Sequence, residues 1–314
     1  MDKKTSKRYL KNFLEFESWR QEQGLEGTKL ADMDTDLETW AEFLFYEVSS
    51  ARGGRQKIVN AKAHLVLLRP EAKNQLPATA KAIRGWDKLV PPNQRPPAPR
   101  SVVFALTRLF AARGQRQMAL IVALAMDCLL RISEALALTT DTVNPAAEGA
   151  GGNILVALHL EKTKTGRHKS VTVKCPALAR EIREYLPTLL EGGRTCSRLF
   201  FLTAAEVNSN IATALKELEV PYIFTCHSLR HGGATAMLMD GISIQDIKFR
   251  GRWACLQSLE NYLQVWNALV LQVRTPMDVA DYGRYYLQHP MRLFGRPDPI
   301  KVANFLRAKS GRGL

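Results

Sequence analysis

The sequence predicts a mostly α-helical protein with a small antiparallel β-sheet, divided into an N-terminal helical domain and a mixed α/β domain. Three observations support this fold class. Apolar residues recur at a helical period in the first 90 residues, a proline-rich stretch then interrupts the chain, and two runs typical of β-strands flank a short basic segment further on. A chain of 314 residues has room for two such domains.

The N-terminal domain is predicted to span residues 1–90 and to contain four helices. Apolar side chains between Tyr9 and Gln23 recur close to every 3.6 residues, which indicates the first helix. Thr35 and Glu38 have the spacing of a capping box, in which each side chain bonds the backbone amide of the other, so a second helix is predicted to begin there. The two remaining helices are expected near residues 55–68 and 77–86.

The stretch PPNQRPPAPR, residues 91–100, is predicted to be an extended linker. It holds five prolines between Pro91 and Pro99. Proline has no amide hydrogen and clashes with the preceding turn, so this stretch cannot form the interior of a helix. We therefore expect the boundary between the two domains here.

The second domain is predicted to cover residues 101–274, followed by a C-terminal tail over 275–314. Two β-rich runs flank the sequence KTKTG, whose Gly166 suits a turn with positive φ, so a hairpin carrying Lys164 near its tip is expected. The two runs are residues 153–160 and 168–174. Helices are expected at about 101–113 and 116–130, after Arg131, and at 177–186, 208–219, 228–239 and 243–250. One or two more helices are expected between 255 and 274.

Charge and cysteine content narrow the function classes. The formal net charge is +14, and residues 1–90 hold 16 Lys and Arg against 13 Asp and Glu, so +11 of it lies in residues 91–314. Such an excess favours a polyanionic partner such as DNA. The five cysteines are widely spaced with no C-x-x-C pair, which predicts a reduced intracellular protein without a disulfide frame or a zinc site. The N-terminus has no apolar core of signal-peptide length and no stretch reaches the length of a membrane span, so no membrane association is expected.

The segment from His227 to Tyr262 holds the residue types that attack on a phosphodiester requires. It reads HSLRHGGATAMLMDGISIQDIKFRGRWACLQSLENY. His227 and Arg230 are three residues apart, which puts them on one face of a helix, and Trp253 and Tyr262 follow after a stretch punctuated by glycine. Arginine can pair two phosphate oxygens at once, and a phenol becomes a nucleophile when a proton acceptor and a positive field assist it.

The spacing within this segment resembles the tyrosine recombinases, the family of phage-type integrases. In that family the box H-x-x-R is followed by His or Trp and then, nine residues later, by Tyr. Here Trp253 lies 26 residues after His227, and Tyr262 lies nine residues after Trp253. Both intervals are as the family has them.

Two further landmarks of the family lie upstream in the expected order. Arg131, in LLRISEALAL, is similar to the first arginine of the family and has Glu134 in an R-x-x-E context. Lys164, in KTKTG, is similar to the β-hairpin lysine of the family. The resemblance covers most of residues 100–270 and is specific, because accident rarely produces several landmarks in this order.

The resemblance implies a role for each of these side chains. Arg131 and Arg230 would clamp the phosphate, and Tyr262 would form a 3′-phosphotyrosyl link that conserves the bond energy. Lys164 would protonate the departing 5′ oxygen as a general acid. Two roles stay open for His227, which would either accept the proton of Tyr262 or donate to a phosphate oxygen.

Trp253 departs from most bacterial members, which have His at this place. An indole N–H can donate to a phosphate oxygen and the ring can support the tyrosine helix, but indole cannot exchange a proton as imidazole does. Glu134 is expected to orient a catalytic Arg or His rather than to react. Contacts with the DNA backbone are expected from Lys162, Arg167, Lys169 and Arg252.

The family implies a site-specific recombinase or integrase of a mobile element that acts as a homotetramer on double-stranded DNA. It implies no metal, cofactor or small-molecule substrate, and a place with the DNA, in the cytoplasm of a prokaryote or the nucleus of a eukaryote. The helical N-terminal domain would clamp DNA together with the catalytic domain. The tail, residues 275–314, would be exchanged between protomers.

Two alternatives stay open. The first is a type IB topoisomerase, although those enzymes generally lack a His at the position of His227. The second is a catalytically silent DNA-binding protein of the same fold. If Tyr262 were not the nucleophile, Tyr282, Tyr285 and Tyr286 would be the next candidates.

Overall fold

The structure of the chain is a computed structural model. It describes residues 3–46, 51–90, 95–146, 154–163, 166–190 and 198–295. The chain divides into two compact units, Met1–Asn93 and Gln94–Leu314.

The first unit forms four α-helices within its described residues. They are α1 (Lys3–Glu22), α2 (Leu30–Tyr46), α3 (Ala51–Leu68) and α4 (Pro77–Leu89). Their apolar faces share one core, in which Phe16, Trp40, Ile58 and Trp86 are buried. Burial of these large side chains is what holds a small helical unit together, because each removes a large apolar area from water.

The start of α2 differs from the predicted start. The helix begins at Leu30, so Thr35 lies inside it, where its hydroxyl donates to the carbonyl of Ala31 over 3.1 Å. The predicted capping box was wrong because a threonine hydroxyl can bond the preceding turn of its own helix equally well. The buried Asp34 instead caps α4, and its carboxylate accepts the amide of Thr79 at 2.9 Å.

The second unit forms ten α-helices and a three-stranded sheet in the part that the structure describes. The helices are α5 (Arg100–Ala112), α6 (Arg116–Asp127), α7 (Ile132–Leu136), α8 (Pro176–Leu190), α9 (Ala204–Glu217), α10 (Cys226–Met239), α11 (Ile244–Gly251), α12 (Leu256–Glu260), α13 (Val265–Arg274) and α14 (Met277–Gln288). Every helix predicted for residues 101–274 is confirmed, with ends shifted by a few residues.

The sheet is antiparallel, with strand order β1 (Val143–Ala146), β2 (Leu155–Thr163), β3 (Gly166–Thr172). The predicted hairpin between β2 and β3 is confirmed, and its ladder reaches the pair Thr163 and Gly166. Gly166 therefore begins β3 and does not lie in the turn, which corrects its predicted place. Strand β1 was not predicted, because VNPA contains a proline and has no alternating pattern.

Two glycines allow α10 to lie very close to its neighbours. A Cβ on Gly232 would lie 2.1 Å from the carbonyl oxygen of Ala98, and one on Gly233 would lie 2.3 Å from that of Met126. No larger residue fits at either place without movement of the backbone. The sequence HGG directly after Arg230 therefore sets how deeply α10 enters the core of the second unit.

Helix α14 lies at the start of the predicted C-terminal tail. Val279, Tyr282 and Tyr286 are buried in the main core of the second unit, and a Cβ on Gly283 would lie 1.8 Å from the carbonyl oxygen of Ser101 in α5. The helix thus packs against α5 of its own chain, and the exchange of the tail between protomers stays a prediction. The last part of the predicted tail, residues 296–314, lies outside the described residues.

The fold class is as predicted, mostly α-helical with a small antiparallel sheet. None of the helices in the described ranges is long and apolar enough to cross a membrane.

Candidate active site

Arg230 lies at the centre of the cluster of predicted site residues. Its side chain, on the first turns of α10, is 0% exposed. Its Nη1 donates to the carbonyl oxygen of Leu129 and its Nη2 to that of Gly251, both over 2.5 Å. Burial and the nearby charge of Arg131 lower the pKa of Arg230. The guanidinium is therefore held firmly in a place that favours an added negative charge.

Glu134 joins three arginines in this cluster. Its Oε1 accepts from Nη1 of Arg131 at 2.6 Å, and its Oε2 accepts from the amide of Arg131 and from Nη2 of Arg252, each at 2.9 Å. Nη1 of Arg230 lies 3.7 Å from the same Oε2. Burial raises the pKa of Glu134, but Arg252 and the hydrogen bonds from Arg131 outweigh it, so the net pKa is lowered and the carboxylate is ionised.

The cluster therefore carries an excess of positive charge, because three guanidinium groups share one carboxylate. Arg131 sits at the N-cap of α7, the position that lets Glu134 three residues later reach back to its amide. The side chain of Arg131 is partly exposed at 19%, so it can meet a phosphate that approaches from solvent. An anion with two free oxygens fits such a site, since planar guanidinium groups bind paired oxygens.

Tyr262 lies against this cluster with its ring between three other rings. The ring centroids of His227, His231 and Trp253 lie 5.2, 4.1 and 4.9 Å from that of Tyr262. The ring of His231 is stacked at 19°, and Cζ of Arg230 lies 5.6 Å from the ring of Tyr262. Tyr262 is half-buried, so the tyrosine combines a fixed ring with access from solvent.

The backbone of Tyr262 is fixed to α10 by a buried threonine. Oγ1 of Thr235 donates to the carbonyl oxygen of Tyr262 over 3.0 Å, and the amide of Gln264 donates to the same hydroxyl over 3.3 Å. The hydrogen bonds connect two stretches of chain that lie 27 residues apart. The distance between Tyr262 and the face of α10 that carries His227 and Arg230 is thereby restrained.

Two histidines of α10 face Tyr262, and both are neutral near pH 7. Burial, then Arg230, Arg95 and Arg131, lowers the pKa of His227. Burial, then His227 and Arg230, lowers the pKa of His231 to about 3. A neutral imidazole keeps one nitrogen free to accept a proton, which His227 needs if it is to assist a phenol.

His231 was not among the predicted site residues. Its Nδ1 lies 3.3 Å from Nε2 of Gln264, and its side chain is buried. The spacing of four residues from His227 was the available signal, since residues four apart on a helix lie on one face. Its stacked contact shows that it supports the ring of Tyr262.

Trp253 packs under the guanidinium of Arg230, whose Cζ lies 4.3 Å from the indole centroid. The preceding turn has room for the indole only because residue 251 is glycine, where a Cβ would lie 1.6 Å from the ring. The buried indole Nε1 and Nε of Arg230 have no hydrogen-bond partner within the described part of the chain. Buried donors are costly to leave unpaired, so both favour an incoming acceptor.

The predicted DNA-contacting residues lie in different surroundings. The side chain of Arg252 is 3% exposed and donates to Glu134, so a contact of Arg252 with the DNA backbone stays a prediction. Lys169 is exposed on β3, as a DNA contact requires. Lys162 and Arg167 are paired across β2 and β3, but their side chains lie outside the described residues, as does the whole of Lys164.

The alternative tyrosines lie in a different environment. Tyr282 and Tyr286 are buried between α14 and α5, where burial raises the pKa of Tyr282. The hydroxyl of Tyr285 accepts a hydrogen bond from Nη1 of Arg292 at 2.5 Å. None of the three takes part in the described contacts around Arg230.

Among the described residues, no three or more metal-binding side chains lie together in a group that could hold a metal ion.

The fold is that of the tyrosine recombinases, the class that the sequence predicted. Residues 106–268 match the phage integrase family, and because this match covers more than half of the chain, the chain belongs to that family. The family predicted from the box around His227 and Tyr262 is thus confirmed. No curated protein sequence matches the chain.

Two solved structures show the same fold at low sequence identity. The Tn1549 transposon integrase in complex with transposon right end DNA is 11% identical, with 92% of this chain and 94% of that chain covered and a TM-score of 0.54. The XerH site-specific recombinase bound to palindromic difH substrate is 14% identical, with 79% and 72% covered and a TM-score of 0.52. Both likenesses support the fold of the tyrosine recombinases.

Proposed function

We propose that this chain is a site-specific DNA recombinase that cuts and rejoins strands through a 3′-phosphotyrosyl intermediate on Tyr262. One observation carries the proposal. Arg131, Arg230, His227, Trp253 and Tyr262, which come from three separate stretches of the chain, meet in one cluster with an excess of positive charge. A phosphodiester would supply the missing negative charge and acceptors for the two unpaired N–H groups.

The phosphate would be bound before any bond changes. Arg131 and Arg230 would donate to its nonbridging oxygens, and Nε1 of Trp253 would donate to one of them. The two arginines would stabilise the negative charge that develops on these oxygens during the attack. Binding in this way costs little rearrangement, because backbone carbonyls already hold Arg230.

In the cleavage step the hydroxyl oxygen of Tyr262 would attack the phosphorus, and the bond from phosphorus to the 5′ oxygen would break. The phenol proton would pass to His227, which burial and the surrounding arginines keep neutral and so able to accept it, since they lower its pKa. The 5′ oxygen would leave as a hydroxyl after taking a proton from Lys164. Rejoining is the reverse, with the 5′ hydroxyl of another strand attacking the phosphotyrosine, so no ATP is consumed.

The assembly is part of the proposal. We propose a homotetramer on two duplexes, with the first unit and the catalytic unit joined by the linker at 91–100 and both bound to DNA. Since α14 belongs to the core, exchange between protomers would involve residues 296–314 only. Deletion of 296–314 is expected to leave DNA binding intact and to abolish pairing of two duplexes, as measured by gel shift and by capture of one labelled duplex on another.

The test of the reaction begins with a DNA site. A pool of randomised duplexes is enriched for sequences that the protein binds, and the enriched duplexes are nicked so that cleavage traps a covalent adduct. We expect an adduct with the wild-type chain, none with Tyr262→Phe, and an unchanged amount with the control Tyr285→Phe.

Each other result identifies an alternative. An adduct that persists in Tyr262→Phe would contradict Tyr262 as the nucleophile. No adduct with any bound duplex would favour the silent DNA-binding protein of the same fold. Relaxation of any supercoiled plasmid, without dependence on a site, would favour a type IB topoisomerase.

A further inference from the structure

We propose that Arg252 is a positioning residue of the strand-transfer site, which keeps Arg230 from closing onto Glu134 and so leaves its charge available for the scissile phosphate. The inference rests on the proposed function. Arg252 is buried, and it would act through Glu134 and Arg230.

The side chain of Arg252 is built into the cluster by four acceptors. Its Nη2 donates to Oε2 of Glu134 and to the carbonyl oxygen of Leu129, both over 2.9 Å. Its Nη1 donates to the carbonyl oxygen of Arg250 over 2.8 Å and lies 3.4 Å from that of Cys128. A planar fork can reach four acceptors at once, whereas the ammonium of lysine, a single point of charge, cannot match that geometry.

Arg252 and Arg230 share one hydrogen-bond acceptor and one ion-pair partner. The carbonyl oxygen of Leu129 bonds both guanidinium groups, at 2.9 Å from Arg252 and 2.5 Å from Arg230. Oε2 of Glu134 bonds Arg252 at 2.9 Å but lies 3.7 Å from Arg230. The closer position on the carboxylate is thus taken by Arg252, and Arg230 is left without a tight ion pair. If Arg252 were absent, attraction would draw Arg230 onto Glu134, because both groups are charged and buried.

The backbone on both sides of this contact is strained. Leu129 has φ 50° and Arg252 has φ 59°, in the left-handed region that residues with a Cβ seldom adopt. The hydrogen bond from Arg252 to Leu129 joins these two residues directly. Strain of this kind persists only where the surroundings enforce it and is concentrated at functional sites. Glycine would relieve the strain at position 252, so the hydrogen bonds of the Arg252 side chain must offset it.

Glycine at 252 is therefore the informative substitution. Arg252→Gly relieves the strained φ and removes the guanidinium, and the matched control is Glu219→Gly, an exposed residue after α9 with φ 53° and no part in the cluster. Both variants should fold. On the enriched duplex at saturating concentration, we expect Glu219→Gly to form adduct at the wild-type rate and Arg252→Gly to be slower by about 100-fold, the scale of a misplaced catalytic group.

A second pair of variants separates positioning from loss of structure. In Arg252→Gly combined with Glu134→Gln, no charged carboxylate is left for Arg230 to close onto, so the double variant should be no slower than Arg252→Gly alone. If the rate reductions caused by Arg252→Gly and by Glu134→Gln multiplied in the double variant, the inference would be overturned. If Arg252→Gly does not fold, Arg252→Lys serves in its place, with an intermediate rate expected and a wild-type rate counting against the proposal.

Binding of inorganic phosphate tests Arg252 apart from strand transfer. The indole N–H signal of Trp253, assigned by its loss in Trp253→Phe, should shift with phosphate in the wild type, and Arg252→Gly should need about ten times more phosphate. If the wild type binds phosphate at Trp253 but forms no adduct, the proposed function is contradicted and the role of Arg252 still stands. Equal binding by wild type and Arg252→Gly, or no response in the wild type, would overturn that role.

Discussion

Arg230 on α10 and Arg108 on α5 are both buried and are bonded in similar ways. Each donates hydrogen bonds to two backbone carbonyls. Each also lies over an aromatic ring, with Cζ of Arg230 4.3 Å from the centroid of Trp253 and Cζ of Arg108 5.4 Å from that of Tyr286. A second ring adjoins each arginine, that of Tyr262 at Arg230 and that of Tyr282 at Arg108. A buried arginine beside a tyrosine is therefore present twice in the second unit.

The difference between the two sites lies in the surrounding charge and in access. Arg230 has two further arginines and Glu134 nearby, and its tyrosine, Tyr262, is half-buried. Arg108 lies between buried tyrosines, and burial raises the pKa of Tyr282. Burial therefore disfavours loss of the phenol proton of Tyr282 at the second site. Excess positive charge and a tyrosine that is only half-buried, rather than contact with arginine, distinguish the first site.

Truncation of the chain should show the largest contrast between the two regions. Removal of residues 275–314 takes away α14, with the buried Tyr282 and Tyr286, and should unfold the second unit because α5 loses the partner that covers it. Removal of 296–314 should leave thermal unfolding close to that of the full chain. Circular dichroism melts of the two truncated proteins measure this. A folded 1–274 fragment would contradict the structural role assigned to the Arg108 region.

Long-range partners explain what sequence reasoning missed. The helices and the box from His227 to Tyr262 were predictable because their signals are periodic or closely spaced. The burial of Arg252 was not, since the partner that accounts for it, Glu134, lies 118 residues away. A charged residue in a basic segment has the same appearance in sequence whether it meets DNA or a buried carboxylate.

The packing of α14 was not predicted for a related reason. The tyrosine-rich sequence after residue 274 does not indicate that α5 is its partner, and the fit depends on Gly283 lying against Ser101. The placement of Lys164 is still a prediction, because this residue lies outside the described ones. Local sequence patterns were therefore enough to predict the candidate reacting residues. Contacts between residues far apart in sequence determine which other polar side chains support them.

Substitution of lysine for each buried arginine tests the comparison directly. Arg230→Lys and Arg108→Lys both leave backbone carbonyls without their donors, so each should lower the free energy of unfolding by about 1–3 kcal/mol. Only Arg230→Lys should also slow adduct formation, by about 10²–10³-fold, because it removes a paired donor from the developing charge. Urea unfolding and adduct rates on the enriched duplex measure both effects. Equal rates in the two variants would remove the distinction between the two sites.

The smallest effect expected is a pH dependence of stability that belongs to the Arg230 region alone. The pKa of His231 is about 3 in the folded chain, against 6.5 for an ordinary histidine. Between these values the unfolded chain binds a proton that the folded chain does not, so stability is retained above pH 6.5 and falls as the pH drops from 6.5 towards 3.

The slope from this one group should be about 1 kcal/mol per pH unit or less. His231→Gln should flatten the acid side of the stability curve. The matched control is His289→Gln, since His289 is exposed and stacks on Tyr285 of α14 with centroids 4.6 Å apart. Urea unfolding at pH 7.5, 6 and 5 compares the three proteins. If His289→Gln flattened the curve as much as His231→Gln, the acid sensitivity would not arise from the imidazole of His231. The pH dependence of stability would then not distinguish the Arg230 region from the Arg108 region.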